Sequence, residues 1–356
     1  MLGCIKFPRM NMIWSSRFRF DPIANVMSRD RFFLLRVNLH VVDRYAVTDE
    51  AKKQNRIWKV QRVIDLVRNR CLAIERKVGC YSIDEQMIPF TGKCNVKQYV
   101  PGKPRPVGLK NFVCTTSSGL MVDFEVYQGS TTNLPEKDTI GLGPSVVMRL
   151  VSTLPKRSFV YFDRYFTTLS LMTRLLEEQI HGTGTIQTNR FKAFNFLKDN
   201  RMKRGKYEEI TRSDNAVSFV KWKDTKSVLM VFTCTGAESL SNIQRWDKKE
   251  KKYINIPCPA AVKHYNEKMG GVDTFDQMMK LYRTWLKTRK WTLKVILHFL
   301  GVFIVNAWQE YSHDCFQARM KKEIMDLREF RLAIADYLMC GPRGRDQQST
   351  LKNLKL

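Results

Sequence analysis

A series of strand-like segments begins at Cys80 and determines the fold class that the chain can adopt. These segments are rich in β-branched and aromatic residues, and the turn 117–119 joins two of them into a hairpin. Helical segments follow, the first with Pro144 in its first turn, where proline is well tolerated. The order β-β-β-α-β-α-β predicts an α/β fold in which helices pack on a mixed sheet. The predicted strands are 80–88, 111–116, 120–128, 159–162 and 182–187, and the predicted helices are 144–154 and 168–179.

Helical segments are predicted on both sides of this region. Before it, 27–39 and 58–73 carry apolar residues at helical spacing, and Ser28 is suited to cap the first of these helices. Residues 190–259 are basic and β-rich, with paired strands at 216–222 and 228–233. After Pro259 the pattern predicts helix through the basic and aromatic stretch LYRTWLKTRKW, through the apolar run 295–308, and again over 316–339.

The net charge of +27 favours a polyanionic partner, either nucleic acid or an anionic membrane surface. The alternative is a ribosome-associated or merely soluble basic protein. The apolar run Val295–Trp308 contains His298 and Asn306 and is shorter than the roughly 20 residues that span a bilayer. A buried helix and no membrane partner are therefore expected.

The nine cysteines form no CxxC pair and no Cys/His set with zinc-finger spacing. The first residues, MLGCIKFPRM, show no secretory signal. These features predict reduced intracellular thiols and no zinc site. For a basic DNA-binding protein they suggest the nucleus, although no compact basic cluster marks a localisation signal.

Three aspartates on separate elements are candidate metal ligands. Asp84 lies inside the strand SIDEQMIPF, Asp163 ends the strand SFVYFD, and Asp273 lies in EKMGGVDTFDQMM, with Asp276 one turn later. Converging carboxylates can hold two divalent cations for phosphodiester chemistry, and hard oxygen ligands suit Mg²⁺. The alternative is purely structural: Asp163 as a helix cap or turn residue, and Asp273 and Asp276 as first-turn helix acids.

Three blocks of sequence resemble the catalytic blocks of piggyBac-type transposases. They are SIDEQMIPFTGKCNVKQYVPGKPRPVGLK, VYFDRYFTT and HYNEKMGGVDTFDQMM. The resemblance implies an RNase H-like fold, interrupted by an insertion, in which Asp84, Asp163 and Asp273 bind Mg²⁺ or Mn²⁺ and Asp276 assists. It also implies cut-and-paste transposition of double-stranded DNA at a TTAA target through hairpin ends, and a possible homodimer.

The resemblance also implies a division into domains. The expected parts are 1–79 as a helical DNA-binding and dimerisation segment, 80–189 and 260–282 as the first and last parts of the RNase H-like catalytic domain, 190–259 as a β-rich insertion domain, and 283–356 as a C-terminal helical DNA-binding and dimerisation segment.

Basic residues after Asp84 and after Asp276 are candidate phosphate contacts, with little base readout of their own. The alternative is a solvated helix face whose aromatic residues, Trp285 and Trp291, belong to the core. Gly270 and Gly271 favour a tight helix entry over close DNA approach. The candidate DNA-binding residues are Lys93, Lys97, Lys103, Arg105, Lys110, Arg283, Lys287, Arg289 and Lys290.

Two features depart from the family pattern. The stretch after Cys340 contains no further cysteine, so the cysteine-rich zinc module is expected to be absent, and the amino-terminal region is expected to be shortened. Two functions therefore stay open. One is a transposase, or a host-retained derivative, with metal-dependent strand cleavage and transfer. The other is a domesticated DNA-binding or chromatin protein without transposition activity.

Overall fold

The computed structural model describes residues 1–187, 196–234, 239–248, 250–284, 286–320 and 323–341. The expectations for Trp285, for the boundary at 189/190 and for the tail after 341 lie outside these residues, as does the side chain of Cys340. The chain forms two compact units, which we call the helical unit (Met1–Val67, Phe90–Asn95 and Gln277–Leu356) and the sheet unit (Arg68–Pro89 and Val96–Asp276).

The helices and strands alternate as the sequence pattern requires. The helices are α1 Asp21–Ala24, α2 Arg29–Asn38, α3 Asp49–Gln54, α4 Gln61–Ala73, α5 Lys137–Ile140, α6 Leu142–Val151, α7 Leu169–Glu177, α8 Ala260–Lys268, α9 Gly271–Leu281, α10 Trp291–Gln317 and α11 Leu327–Cys340. The strands are β1 Cys80–Pro89, β2 Gln98–Tyr99, β3 Val107–Thr116, β4 Met121–Val126, β5 Phe159–Phe162, β6 His181–Thr185, β7 Tyr207–Thr211, β8 Ser218–Lys223, β9 Ser227–Phe232, β10 Leu240–Asp247 and β11 Lys252–Pro259.

The sheet unit is built on one nine-stranded mixed sheet. Its order is β2-β3-β1-β5-β6-β9-β8-β7, and β4 pairs with β3. β1 lies parallel to β5, and β5 parallel to β6, whereas β3 and β4 continue antiparallel beyond β1. The parallel neighbours β5 and β6 are connected through α7, as a parallel pair requires, and the chain from β4 to β5 passes through α5 and α6. The predicted α/β class with helices on a mixed sheet is confirmed.

The core of this unit explains why these residues form these elements. Ile83 of β1, Phe162 of β5 and Phe112 of β3 are buried in one cluster with Leu150 of α6 and Leu175 of α7. Their strands are buried on most positions, as expected for a sheet that helices cover. The rigid centre of the sheet therefore lies where β1 and β5 run side by side.

The basic region 190–259 contributes strands of two kinds. β7, β8 and β9 extend the main sheet beyond β6 through antiparallel pairing. β10 and β11 form a separate two-stranded ribbon. The predicted strands at 216–222 and 228–233 thus exist as β8 and β9, and treating the region as an insertion domain stays a prediction.

Several local predictions for the helical unit are confirmed, and two are wrong. Ser28 caps α2 by accepting a hydrogen bond from the Arg31 amide. The chain leaves the helix after Leu281, although helix was predicted through the stretch up to Trp291. Like charges at Arg283 and Lys287, four residues apart, would destabilise a helix there.

The second wrong prediction is the helix at 316–339. Residues 318–320 are not helical, and α11 starts only at Leu327. A capping box fixes this start: Asp326 accepts from the Glu329 amide, and the Glu329 carboxylate accepts from the Asp326 amide.

The apolar run forms a longer helix than expected. α10 extends over 27 residues and, by length and composition alone, could cross a membrane. In its most apolar window 44% of the residues are buried within the protein, and His298 and Asn306 are among the buried residues. One such helix is weak support for a membrane span, and buried polar residues on it are typical of a packed core helix. The eight cysteines whose side chains are described are all free thiols.

Candidate carboxylate site in the sheet unit

The sheet brings Asp84 and Asp163 to adjacent positions. β1 and β5 are parallel neighbours, and their last paired residues are Ile83 and Phe162. Asp84 is the next residue of β1, and Asp163 directly follows β5. The Asp84 side chain is only 17% exposed, and its Oδ1 accepts a hydrogen bond from the Glu85 amide at 2.7 Å. Two of the three predicted ligands are therefore neighbours in the fold.

Burial changes the acid–base behaviour of this pair. Desolvation raises the pKa of Asp84 to about 7, and the nearby carboxylate of Asp163 adds to this rise, while Lys103 opposes it. A buried carboxylate beside a like charge is poorly stabilised as an anion. A cation at this position would therefore be favourable.

Asp163 also has a local structural role. Its Oδ1 accepts a hydrogen bond from the Tyr165 amide at 2.8 Å, which supports the turn after β5. The cap of α7 is a different residue, because Thr168 accepts from the Leu171 amide. Of the two structural alternatives for Asp163, the turn is observed and the helix cap is not.

Asp273 lies in the first turn of α9, where its side chain is exposed. The helix begins in close contact with the sheet, since the Gly271 amide donates to Ser82 Oγ at 3.3 Å. A Cβ atom at Gly271 would lie 2.3 Å from the carbonyl oxygen of Thr116, so only glycine fits. The tight helix entry is confirmed for Gly271, whereas a Cβ atom at Gly270 would meet nothing within 4 Å.

Asp276 provides the second contact between α9 and β1. Its Oδ1 accepts a hydrogen bond from Gln86 Nε2 at 2.6 Å. Ser82, Asp84 and Gln86 lie on one face of β1, because successive side chains of a strand point to opposite faces. α9 thus contacts the residues on both sides of Asp84, and Asp276 is the helix acid that faces this strand.

Two lysines predicted to bind DNA lie close to acids. Lys103 Nζ is 3.9 Å from Asp84 Oδ2 and donates to the Glu85 carbonyl at 3.1 Å. Lys110 is buried, with Nζ 3.7 Å from Glu85 Oε2 and 4.3 Å from the centre of the Tyr165 ring. Its interior position does not favour the phosphate contact that the sequence suggested, because the ammonium faces an acid and an aromatic ring.

The other predicted DNA-binding residues lie in both units. Lys97 and Arg105 of the sheet unit are exposed, as are Lys93, Lys287, Arg289 and Lys290 of the helical unit, whereas Arg283 is half-buried.

Sequence reasoning missed Glu85 and Gln86. Gln86 follows Asp84 by two residues and shares its face of the strand, which period-two alternation in SIDEQ could have shown. Glu85 is the acid that holds Lys103 and Lys110 close to Asp84.

The donor set fits a divalent cation in part. Asp84 and Asp163 offer hard carboxylate oxygens, which Mg²⁺ prefers. Within the described residues, no three His, Cys, Asp or Glu side chains are grouped closely enough to hold a metal ion. The pair on β1 and β5 is assembled, and the exposed Asp273 is not gathered with it.

Comparison with known proteins gives a consistent picture. The family model described as Transposase IS4 matches residues 1–308. The human PiggyBac transposable element-derived protein 3 is 28% identical over 367 residues, covering 98% of this chain and 60% of the relative. The human PiggyBac transposable element-derived protein 2 is 30% identical over 345 residues, covering 94% of this chain and 56% of the relative. The chain thus spans somewhat more than half the length of these relatives.

A solved structure shares the fold. The cryo-EM structure of a piggyBac transposase synaptic complex with hairpin DNA superposes with a TM-score of 0.81 at 22% sequence identity. The match covers 99% of this chain and 73% of that one. The expected RNase H-like architecture is therefore confirmed.

Proposed function

Because this chain belongs to the Transposase IS4 family, as a piggyBac-type member, we propose that it is a DNA transposase or a host-retained derivative of one. It cleaves and transfers DNA strands at Asp84 and Asp163, with Asp273 as the third carboxylate. The observation that carries this proposal is the placement of Asp84 beside Asp163 on adjacent parallel strands, with the pKa of Asp84 raised to about 7.

Some residues of this site would bind the metal, and others position α9. Asp84 and Asp163 would hold Mg²⁺ or Mn²⁺, which when bound stabilises the attacking and leaving oxygens of a phosphodiester displacement. Gln86 and Gly271 hold α9 against β1 and so keep Asp276 near Asp84. No nucleophilic side chain is required, since water or a DNA hydroxyl attacks the phosphorus.

The remaining expectations belong to the same proposal. Double-stranded DNA is the substrate, a TTAA sequence the target, a homodimer the active form and the nucleus the compartment. The exposed basic side chains of both units would contact phosphates, which the net charge of +27 favours. The proposal keeps the predicted division into domains, with the parts 1–79, 80–189, 190–259, 260–282 and 283–356.

A second candidate function is a DNA-binding or chromatin protein that keeps the fold without strand cleavage. The observation that favours it is the missing three-ligand group within the described residues, where Asp273 points to solvent. In that case the chain would bind DNA by charge, and the acids would have only structural roles.

Strand cleavage separates the two functions. The purified chain is incubated with Mn²⁺ or Mg²⁺ and DNA carrying candidate terminal repeats, and nicks and hairpins are resolved on denaturing gels. We expect Asp163→Asn to lower product formation by about 100-fold or more, as loss of a charge-stabilising group at a reacting phosphate does. Asp138→Asn, an exposed aspartate on α5, is the matched control.

Metal binding gives an independent readout. Titration of Mn²⁺ followed by its electron paramagnetic resonance signal should show a site that Asp84→Asn and Asp163→Asn both remove and Asp138→Asn keeps. DNA binding without any metal-dependent product, in a longer chain as well, would refute the transposase and leave the DNA-binding derivative.

A further inference from the structure

The helical unit contains an open cavity of about 590 Å³. Its walls come from three stretches of chain: 39–45 after α2, Trp58 and Lys59 before α4, and 289–296 at the start of α10. The volume is within the usual range for small-ligand sites, roughly 300–1,000 Å³. The buried side chain of Ile296 contributes to the lining.

Aromatic side chains form part of the walls. Tyr45 is 84% exposed, and Trp58 and Trp291 are half-buried. An aromatic ring that packs on little of its own protein offers a face to a ligand. Flat π faces are the feature on which nucleobases stack, in any sequence.

The same walls are strongly basic. Arg44 lies over the Tyr45 ring, 4.9 Å from its centre, and Lys59 lies 5.3 Å from the centre of the Trp58 ring. Arg289 and Lys290 add two further cations, against one acid, Asp43.

Two contacts hold this arrangement in place. The Lys290 ammonium donates to the carbonyl of Val37 at the end of α2. The Asp43 carboxylate accepts from the Tyr45 amide at 2.9 Å, which fixes the backbone beside the exposed ring. One contact therefore joins two distant stretches of the cavity wall, and the other holds the backbone at Tyr45.

We propose that this cavity binds an unpaired nucleotide of a nucleic-acid strand, with the base stacked on Tyr45 and Trp58 and the flanking phosphates on Arg44, Lys59 and Arg289. Bases inside an intact duplex are stacked on each other and offer no face to a protein ring, so an unpaired nucleotide fits this cavity better than a duplex. An acidic peptide would match the charge and leave the aromatic rings without a stacking partner. The site is independent of the carboxylate site, since it needs neither a metal nor cleavage.

Fluorescence anisotropy tests this proposal with the full chain in EDTA. The probes are fluorescein-labelled oligothymidylate, oligouridylate and a DNA duplex of the same length. We expect Tyr45→Ala to weaken binding of a single strand about 10-fold, in line with roughly 1–3 kcal/mol per stacked base, and binding of the duplex by less than twofold. Tyr253→Ala is the control, because this tyrosine is 68% exposed but lies on β11 in the sheet unit.

Two further variants make the test sharper. Trp58→Phe keeps a ring and should stay within twofold of the parent protein. Arg289→Gln should reduce the slope of log affinity against log salt by about 0.7 for single strands, the value for one phosphate contact. The loss of affinity in Tyr45→Ala is compared for oligothymidylate and oligouridylate. The larger loss shows whether the nucleotide comes from DNA or from RNA.

Three results would overturn the proposal. The first is a folded Tyr45→Ala variant that binds the single strand as tightly as the parent protein or as tightly as Trp58→Phe. The second is an equal loss of affinity for single strand and duplex, and the third is displacement of the strand by oligoglutamate as readily as by unlabelled oligothymidylate. Because EDTA removes divalent ions, failure of the carboxylate site leaves this measurement unchanged. Strand cleavage without single-strand binding would refute the cavity proposal alone.

Discussion

Asp123 on β4 and Asp84 on β1 are both buried in the sheet unit, and their surroundings differ sharply. The Asp123 side chain is 0% exposed, and its carboxylate is fully compensated by two guanidinium groups. Arg68 Nε lies 3.0 Å from Oδ1 and Arg149 Nη1 lies 2.8 Å from Oδ2. The Phe124 amide donates a third hydrogen bond at 2.8 Å, and the Thr153 hydroxyl donates a fourth at 3.2 Å.

Asp84 receives far less compensation. Within the described residues its partners are the Glu85 amide and the Lys103 ammonium at 3.9 Å, and its pKa is raised to about 7. A buried acid that is surrounded by donors holds the fold together, whereas a buried acid with few donors is suited to bind something that the chain itself does not supply. The comparison shows that the partners, rather than burial, separate a structural acid from a candidate ligand.

Removal of each carboxylate is the strongest test of this contrast. We expect Asp123→Asn to lower the free energy of unfolding by about 3–5 kcal/mol, because Arg68 and Arg149 lose their charge partner in a buried place. Asp84→Asn should change it by less than about 1 kcal/mol or increase it, since it removes a desolvated charge. Urea unfolding at pH 7 measures both, and equal losses in the two variants would break the comparison.

The pH dependence of stability gives a second, somewhat smaller effect. Asp84 has a pKa near 3.8 in the unfolded chain and about 7 in the folded one, so the folded state holds this proton more tightly. The parent protein should therefore lose stability relative to Asp84→Asn as pH rises from 4 to 8, by about 2–4 kcal/mol in total, with most of the loss complete at pH 7 and little beyond pH 8.

Paired urea unfolding curves from pH 4 to 8, in EDTA, check this difference. Asp138→Asn, which keeps the carboxylate of Asp84, is the matched control. A flat difference for Asp84→Asn would mean that its carboxylate is as well compensated as that of Asp123.

Lys103 provides the smallest test. Its ammonium lowers the pKa of Asp84, against the larger effect of burial. Lys103→Met should therefore raise the midpoint of the Asp84 titration above 7, by roughly one unit, and Lys103→Arg should leave it in place. The carboxyl ¹³C chemical shift of Asp84 reports this midpoint directly. An unchanged midpoint in Lys103→Met would show that the lysine is not a partner of the acid.

The sequence predicted most of the sheet and part of the site. Strand alternation and turn residues are local signals, and they gave β5 its observed bounds and placed β1 within one residue. The helix predicted after Leu281 was wrong. The apolar spacing favoured it, but that pattern leaves out the repulsion between Arg283 and Lys287, which are four residues apart. Asp84 and Asp163 were predicted as ligands through the family resemblance, and the parallel pairing of β1 with β5 explains why they are neighbours.

Other features needed the folded structure. Asp123 lies in MVDFEV, a strand as apolar as the one that contains Asp84, and nothing in that pattern shows the arginines that come from α4 and α6. The approach of α9 to β1 depends on Gly271 fitting beneath Thr116, a contact between distant parts of the chain. The cavity beside Tyr45 likewise joins stretches about 250 residues apart, as the bond from Lys290 to Val37 shows.

The hydrogen bond from Gly271 to Ser82 also has a consequence in time. The two residues are separated by 189 positions along the chain. At about 5–20 residues per second, a ribosome needs roughly 10–40 s to make the stretch between them. Throughout that interval a nascent chain carries Asp84 without α9, so the acids of this helix can join the strand only after α9 has been made.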